Sequence, residues 1–174
     1  MDTKENGLIK ASRGLTTHYT VEAHDADGNL LWREEVDNLV VTAGLNDSLD
    51  KHLKGSSYTA AWYVGLTGNT PTIAAADTMS SHAGWTEVTA YSETNRQTLT
   101  LGTVSGGSVD NSASKAVFTV NANGTGIGGA FVVSNNTKGG TTGVLYGGAA
   151  FSANRTLNSG DTLTITVTLT ATAV

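Results

Sequence analysis

The sequence LTITVTLT at residues 163–170 alternates strictly between aliphatic side chains and threonine. Apolar side chains at every second position lie on one face of a β-strand, whereas a helix needs spacings of three or four. The same alternation occurs in residues 18–23, where Tyr19, Val21 and Ala23 share one face. One apolar and one polar face per strand indicate an antiparallel sheet that buries a single side.

Other segments extend this β pattern along the chain. Residues 25–29 (DADGN) have turn chemistry and separate the first strand from a second at 30–36, which predicts a hairpin. The run TAAWYVGL at residues 59–66 is continuously apolar and predicts a central strand buried on both faces, in which Trp62 and Tyr63 point to opposite sides. Shorter strands are expected near residues 85–91, 98–101, 115–120, 130–134 and 144–151.

One helix interrupts the strands, at residues 42–54. Thr42 is the expected N-cap and Gly55 suits the position after the helix end. Leucines at a spacing of four form one apolar stripe opposite a solvated polar face. The stripe consists of Leu45, Leu49 and Leu53.

These elements predict an all-β fold, an antiparallel β-sandwich or jelly roll with about nine strands and one short inserted helix. Residues 17–174 are expected to form a single domain. Residues 1–16 show neither helical nor strand periodicity. They are interpreted as an extended N-terminal arm that becomes ordered against a partner. A long loop at residues 67–84 contains the single proline, Pro71.

Composition excludes several classes of function. The net charge of −5 and the pI near 5.2 argue against nucleic-acid binding, which needs clustered Lys and Arg. The chain has no cysteine, so disulfides and thiolate metal sites are impossible. The N-terminal stretch MDTKENGLIK lacks the apolar run of a signal peptide, and no segment is apolar over the length of a membrane span. We therefore expect neither a nucleic-acid partner nor membrane insertion.

Residues 124–129 (GTGIGG) match the glycine pattern of dinucleotide-binding loops. That pattern binds a pyrophosphate only where the glycines follow a strand and open a helix, with an acidic residue about 20 positions later. Here the strand-like sequence AFVV follows at residues 130–133, and the next acid is Asp161. The prediction is a glycine-rich turn or bulge, and no cofactor is expected.

No spacing of titratable residues indicates a metal or catalytic centre. Residues 25–29 begin like a calcium loop but lack its glycine at position six and its glutamate at position twelve. No nucleophile elbow is present, and acids are sparse after residue 54. The chain is therefore expected not to be an enzyme, with no catalytic residues. The four histidines are His18, His24, His52 and His82.

Several stretches resemble small structural proteins encoded among the virion genes of tailed bacteriophages. The resemblance spans most of the chain from about residue 30. Its motifs are NLVVTAGLN (38–46), WYVGL (62–66), AADT (75–78), SHAGWTE (81–87), SVDNSASKA (108–116) and NTKGGTTG (136–143).

The resemblance implies a capsid cement or decoration protein that assembles in the host cytoplasm and stabilises the shell from its outer surface. Its implied partners are the major capsid protein and further copies of itself, as a homo-dimer or homo-trimer. The arm is the expected anchor, because it places apolar residues between charges. An alternative is a tail- or fibre-associated module that binds a receptor or carbohydrate through exposed aromatic side chains. The candidate interface residues are Lys4, Leu8, Ile9, Lys10, Arg13 and Leu15.

Overall fold

The computed structural model describes residues 14–58 and 61–172. These residues form ten strands and one helix, which confirms the predicted all-β class. The elements in chain order are β1 (Leu15–His24), β2 (Leu30–Val40), α1 (Thr42–His52), β3 (Tyr63–Thr67), β4 (Glu87–Val88), β5 (Gln97–Thr98), β6 (Ser108–Asp110), β7 (Ala116–Thr119), β8 (Thr125–Val133), β9 (Leu145–Leu157) and β10 (Thr162–Ala171).

All strand pairs are antiparallel and follow the order β4-β3-β8-β9-β2-β1-β10-β6, with β5 also paired to β3 and β7 to β10. Strand β2 joins the two halves of this curled sheet. Most of its length pairs with β1, whereas Leu39 and Val40 pair with Gly148 and Gly147 of β9. The two halves therefore face each other across one core, as in a sandwich.

The main core is built by the alternation seen in the sequence. Tyr19 lies opposite Val167, and Val21 lies opposite Ile165, in the β1–β10 pair. All four side chains are fully buried, while the residues between them remain partly exposed. A one-residue slip of this register would move the whole apolar set to solvent, so burial fixes the register.

Strand β3 is buried on both faces, as its apolar run predicts. Val64 and Leu66 pack into the main core, whereas Tyr63 packs on a second cluster around Phe131. The strand starts at Tyr63, later than the predicted run, and residues 59–60 lie outside the described part. Gly65 is required here, because an added Cβ would lie 2.6 Å from Phe131 Cε1.

The glycine-rich segment is a turn followed by a bulged strand, as predicted. Gly124 has a φ of 72°, and the β8–β9 register shifts between Ile127 and Gly129. No helix follows. The glycines also make room for the loop at 67–84, since a Cβ on Gly128 would lie 2.8 Å from Pro71 Cδ.

Several element boundaries differ from those expected. Strand β1 begins at Leu15, so the last two residues of the predicted arm belong to the sheet, where Leu15 pairs with Ala171. The N-cap of α1 is Val41 rather than Thr42, and no side chain caps the helix. The strands expected at 85–91 and 98–101 shorten to two-residue pairings with β3.

Candidate binding groove

The leucine stripe of α1 faces solvent instead of the core. Leu49 and Leu53 are 56% and 74% exposed. The helix packs on the sheet through Gly44, its one buried residue, where an added Cβ would lie 2.8 Å from the Cα of Tyr146 in β9. Close backbone approach through glycine thus leaves the larger apolar face of the helix without a partner within the described residues.

An open groove of about 720 Å³ runs between this helix face and the sheet. Val132 and Tyr146 of the main core form part of its lining and are themselves buried, so the groove lies directly over the core. We call this surface the apolar groove. Its apolar walls are formed mainly by Leu15, Leu49, Leu53, Tyr58, Trp62, Leu99, Leu101, Val104 and Leu169.

Trp62, in the groove wall, packs against the buried ring of Tyr146. The Trp62 ring meets the Tyr146 ring edge-on, with centroids 5.5 Å apart. Burial raises the pKa of Tyr146 above its ordinary value, while a hydrogen bond with Ser48 acts in the opposite direction. Tyr146 therefore stays neutral at physiological pH and supplies an apolar surface.

Polar groups lie at the helix side of the groove, where Asp47, Ser48, Lys51 and His52 contribute to the lining. An apolar floor with polar groups at its edge suits aliphatic or aromatic side chains of a polypeptide, or a similar apolar ligand. The polar edge can orient such a ligand through charges.

The residues around His82 have a structural role. Trp85 donates its indole N–H to Asp77 Oδ2 at 3.0 Å, and the same oxygen accepts the backbone N–H of Ala74 at 3.0 Å. The His82 ring stacks on Trp85 at 3.8 Å. Trp85 itself is buried against Phe131, so these contacts hold the 67–84 loop on the second core cluster.

The remaining histidines do not converge on a shared site. His18 Nδ1 lies 3.0 Å from Asp37 Oδ1, on the partly exposed face of β1 and β2. Among the described residues, no group of three or more His, Asp or Glu side chains could hold a metal ion. Residues 25–29 form the predicted hairpin turn, with Gly28 at a φ of 86°.

Of the predicted interface residues, the structure places Leu15 alone, and it lies in the wall of the apolar groove. Lys4, Leu8, Ile9, Lys10 and Arg13 lie outside the described residues. Sequence reasoning missed Tyr58, Leu101 and Val104. Tyr58 and Val104 are isolated large apolar residues in segments rich in Gly, Ser and Thr, whereas Leu101 ends the strand expected at 98–101.

Comparison of the chain with protein-family models, curated proteins and solved structures gave no match. The single helix within the described residues, α1, lacks the length and apolar character needed to cross a membrane. The fold and groove define an all-β protein with an open apolar groove on its surface.

Proposed function

We propose that this chain is a non-enzymatic virion structural protein of a tailed bacteriophage, which binds the outside of the capsid and stabilises it. The major capsid protein is its main partner, and further copies of the chain are its second. The resemblance of residues 38–46, 62–66 and 81–87 to phage virion proteins supports the class. The apolar groove supports the binding role.

The observation that carries the proposal is the open apolar groove with its polar edge. Leu49 and Leu53 are 56% and 74% exposed in its wall, which also includes Leu15, the first residue of β1. Large apolar patches rimmed by polar groups mark interaction sites. The groove therefore offers a contact face, and many copies on a symmetric shell would supply avidity from modest individual contacts.

Co-sedimentation with capsids that lack the protein tests this proposal. Full-length chain is compared with a truncation of residues 1–13, which leaves β1 intact. A second comparison sets Leu53→Asp in the groove against Leu30→Asp, since Leu30 is also exposed but does not line the groove. We expect stoichiometric binding that weakens on truncation and with Leu53→Asp, and persists with Leu30→Asp. Absence of binding by full-length chain would refute the capsid role.

A tail or fibre module that binds carbohydrate is the second candidate. Tyr58 is exposed and lines the same groove as Trp62, and aromatic rings can stack on sugar faces. Binding to a glycan array that disappears with Tyr58→Ala would favour this candidate. Glycan binding that survives Tyr58→Ala, or none at all, would argue against a carbohydrate site in the groove.

A further inference from the structure

The large apolar side chains that the described residues expose are concentrated at the apolar groove. Half of them line it, namely Leu49, Leu53, Tyr58, Leu101 and Val104. Single exposed apolar residues are normal on a protein surface, whereas a contiguous apolar patch marks an interaction site. The concentration of these five side chains therefore indicates a contact surface and not scattered exposure.

The size of this surface matches one side of a protein dimer. The five side chains are between 37% and 74% exposed. Together they leave roughly 600 Å² of accessible surface, whereas each partner of a stable interface buries about 800 Å². Apolar atoms make up about 60% of such an interface. The groove therefore has enough apolar surface for one half of a stable dimer.

Charge favours a second copy of the chain as the partner. Two copies repel each other overall, because each carries a net charge of −5. Within the described residues, the groove lining contains two charged side chains, Asp47 and Lys51, whose charges cancel when His52 is neutral. Contact through the groove therefore joins two neutral patches, and the excess negative charge stays outside the interface.

Symmetry points to the same arrangement. In a two-fold dimer a patch meets its own equivalent, so the patch has to offer both projecting groups and space that receives them. Leu53 and Tyr58 are 74% and 66% exposed, and the open groove of about 720 Å³ has room for such side chains. Asp47 and Lys51 have opposite charges, so the groove edge can also pair with itself.

We propose that the free protein is a two-fold symmetric dimer in which the apolar groove of each copy covers that of the other. The contact buries Leu53, at the end of α1, together with Val104, between β5 and β6. Binding to a capsid through the same groove then requires the two copies to separate. This inference concerns the free protein and does not require the proposed function to be correct.

Sedimentation equilibrium of the full-length chain over a dilution series tests the proposal. We expect a mass of twice the 17.9 kDa of the single chain, with dissociation on dilution. Contact through one shared patch closes at two copies, so no larger species should form. A monomer at every concentration would overturn the proposal, and so would a trimer or a larger assembly.

Matched substitutions test where the two copies meet. Leu53→Asp and Val104→Asp place a charge in the groove and should each raise the dissociation constant of the dimer at least about tenfold. Leu30→Asp and Val117→Asp add the same charge outside it and should leave the constant unchanged, since both residues are exposed but do not line the groove. A dimer that survives both groove substitutions, or that the controls weaken equally, would overturn the assignment of the groove.

Circular dichroism and thermal unfolding verify that each variant retains the β body. The sedimentation measurements use no capsids, so the two proposals can fail separately. A monomer that binds capsids would refute the dimer alone. A dimer that does not bind capsids would refute the capsid role alone.

Discussion

The Arg96 guanidinium donates two parallel hydrogen bonds to the Glu87 carboxylate, from Nε to Oε1 at 2.8 Å and from Nη2 to Oε2 at 2.7 Å. Both side chains are buried. The remaining donors of Arg96 reach the carbonyl oxygens of Asn135 at 2.9 Å and Gly140 at 2.6 Å. Gly139 donates its N–H to Glu87 at 2.9 Å. This ion pair therefore joins the segment after β8 to the start of β4.

Arg96→Met should lower the free energy of unfolding by about 3–5 kcal/mol, because it leaves the Glu87 carboxylate buried without its cation. Arg33→Met is the matched control, since Arg33 pairs with Glu22 and Glu35 on a partly exposed surface, and should cost less than about 1 kcal/mol. Urea denaturation measures both. Similar losses for the two variants would contradict the structural role of the buried pair.

The side chain of Asn111 hydrogen-bonds to the backbone of β10 where no strand pairs with it. Strand β10 pairs with β6 at one end and β7 at the other, and between them Asn111 Oδ1 accepts the N–H of Val167 at 2.7 Å while Nδ2 donates to Ile165 O at 3.3 Å. Asn111→Leu should cost about 1–3 kcal/mol, because a buried N–H loses its acceptor. The exposed Asn121→Leu should change stability by less than about 0.5 kcal/mol. Equal effects in thermal unfolding would argue against this account.

Gly65→Ala should destabilise the protein by about 1–3 kcal/mol, because the new methyl group would overlap the Phe131 ring inside a packed core. Gly102→Ala serves as the control, since its Cβ would meet its nearest neighbour, Asp110 O, at an ordinary 3.5 Å. A double variant with Phe131→Leu should recover part of the loss, and a double-mutant cycle measures this coupling. Additive losses would mean that the steric explanation is wrong.

Acid should weaken the β1–β2 hairpin through Asp25. The side-chain amide of Asn29, at 2.9 Å, and the backbone N–H groups of Asn29 and Asp27 hold the pKa of Asp25 below its ordinary value of 3.8. A lowered folded-state pKa means that the stabilisation is present above 3.8 and is lost as the pH falls through the lowered pKa. NMR titration of the Asp25 carboxyl group measures this pKa directly.

The matching variant is Asp25→Asn, which cannot titrate. Its free energy of unfolding should fall less than that of the natural chain between about pH 5 and pH 2. Asp27→Asn, in the same turn, should show the loss of the natural chain. Identical acid dependence in all three proteins would refute the role of Asp25.

Local patterns were sufficient for much of the fold. Alternation at residues 18–23 and 163–170 identified two strands whose apolar sets do pack against each other, since side-chain period and burial are properties of the strand itself. Turn chemistry placed the hairpin at 25–29, and the sequence AFVV after the glycines excluded a dinucleotide loop. These conclusions needed only neighbours in sequence.

The groove could not be predicted in the same way. The spacing of Leu45, Leu49 and Leu53 showed an apolar helix face, but which face meets the sheet depends on the fit between Gly44 and Tyr146, which are far apart in sequence. Likewise, Leu101 and Val104 line the groove together with Trp62 and Leu15, and only the tertiary structure brings these residues into one surface.

Residue spacing was enough to predict the strand class, the hairpin and the central strand, because backbone geometry converts spacing directly into faces. Tertiary structure decided which apolar faces are covered, because burial depends on steric fit between distant segments. It left Leu49 and Leu53 of α1 exposed in the wall of the apolar groove.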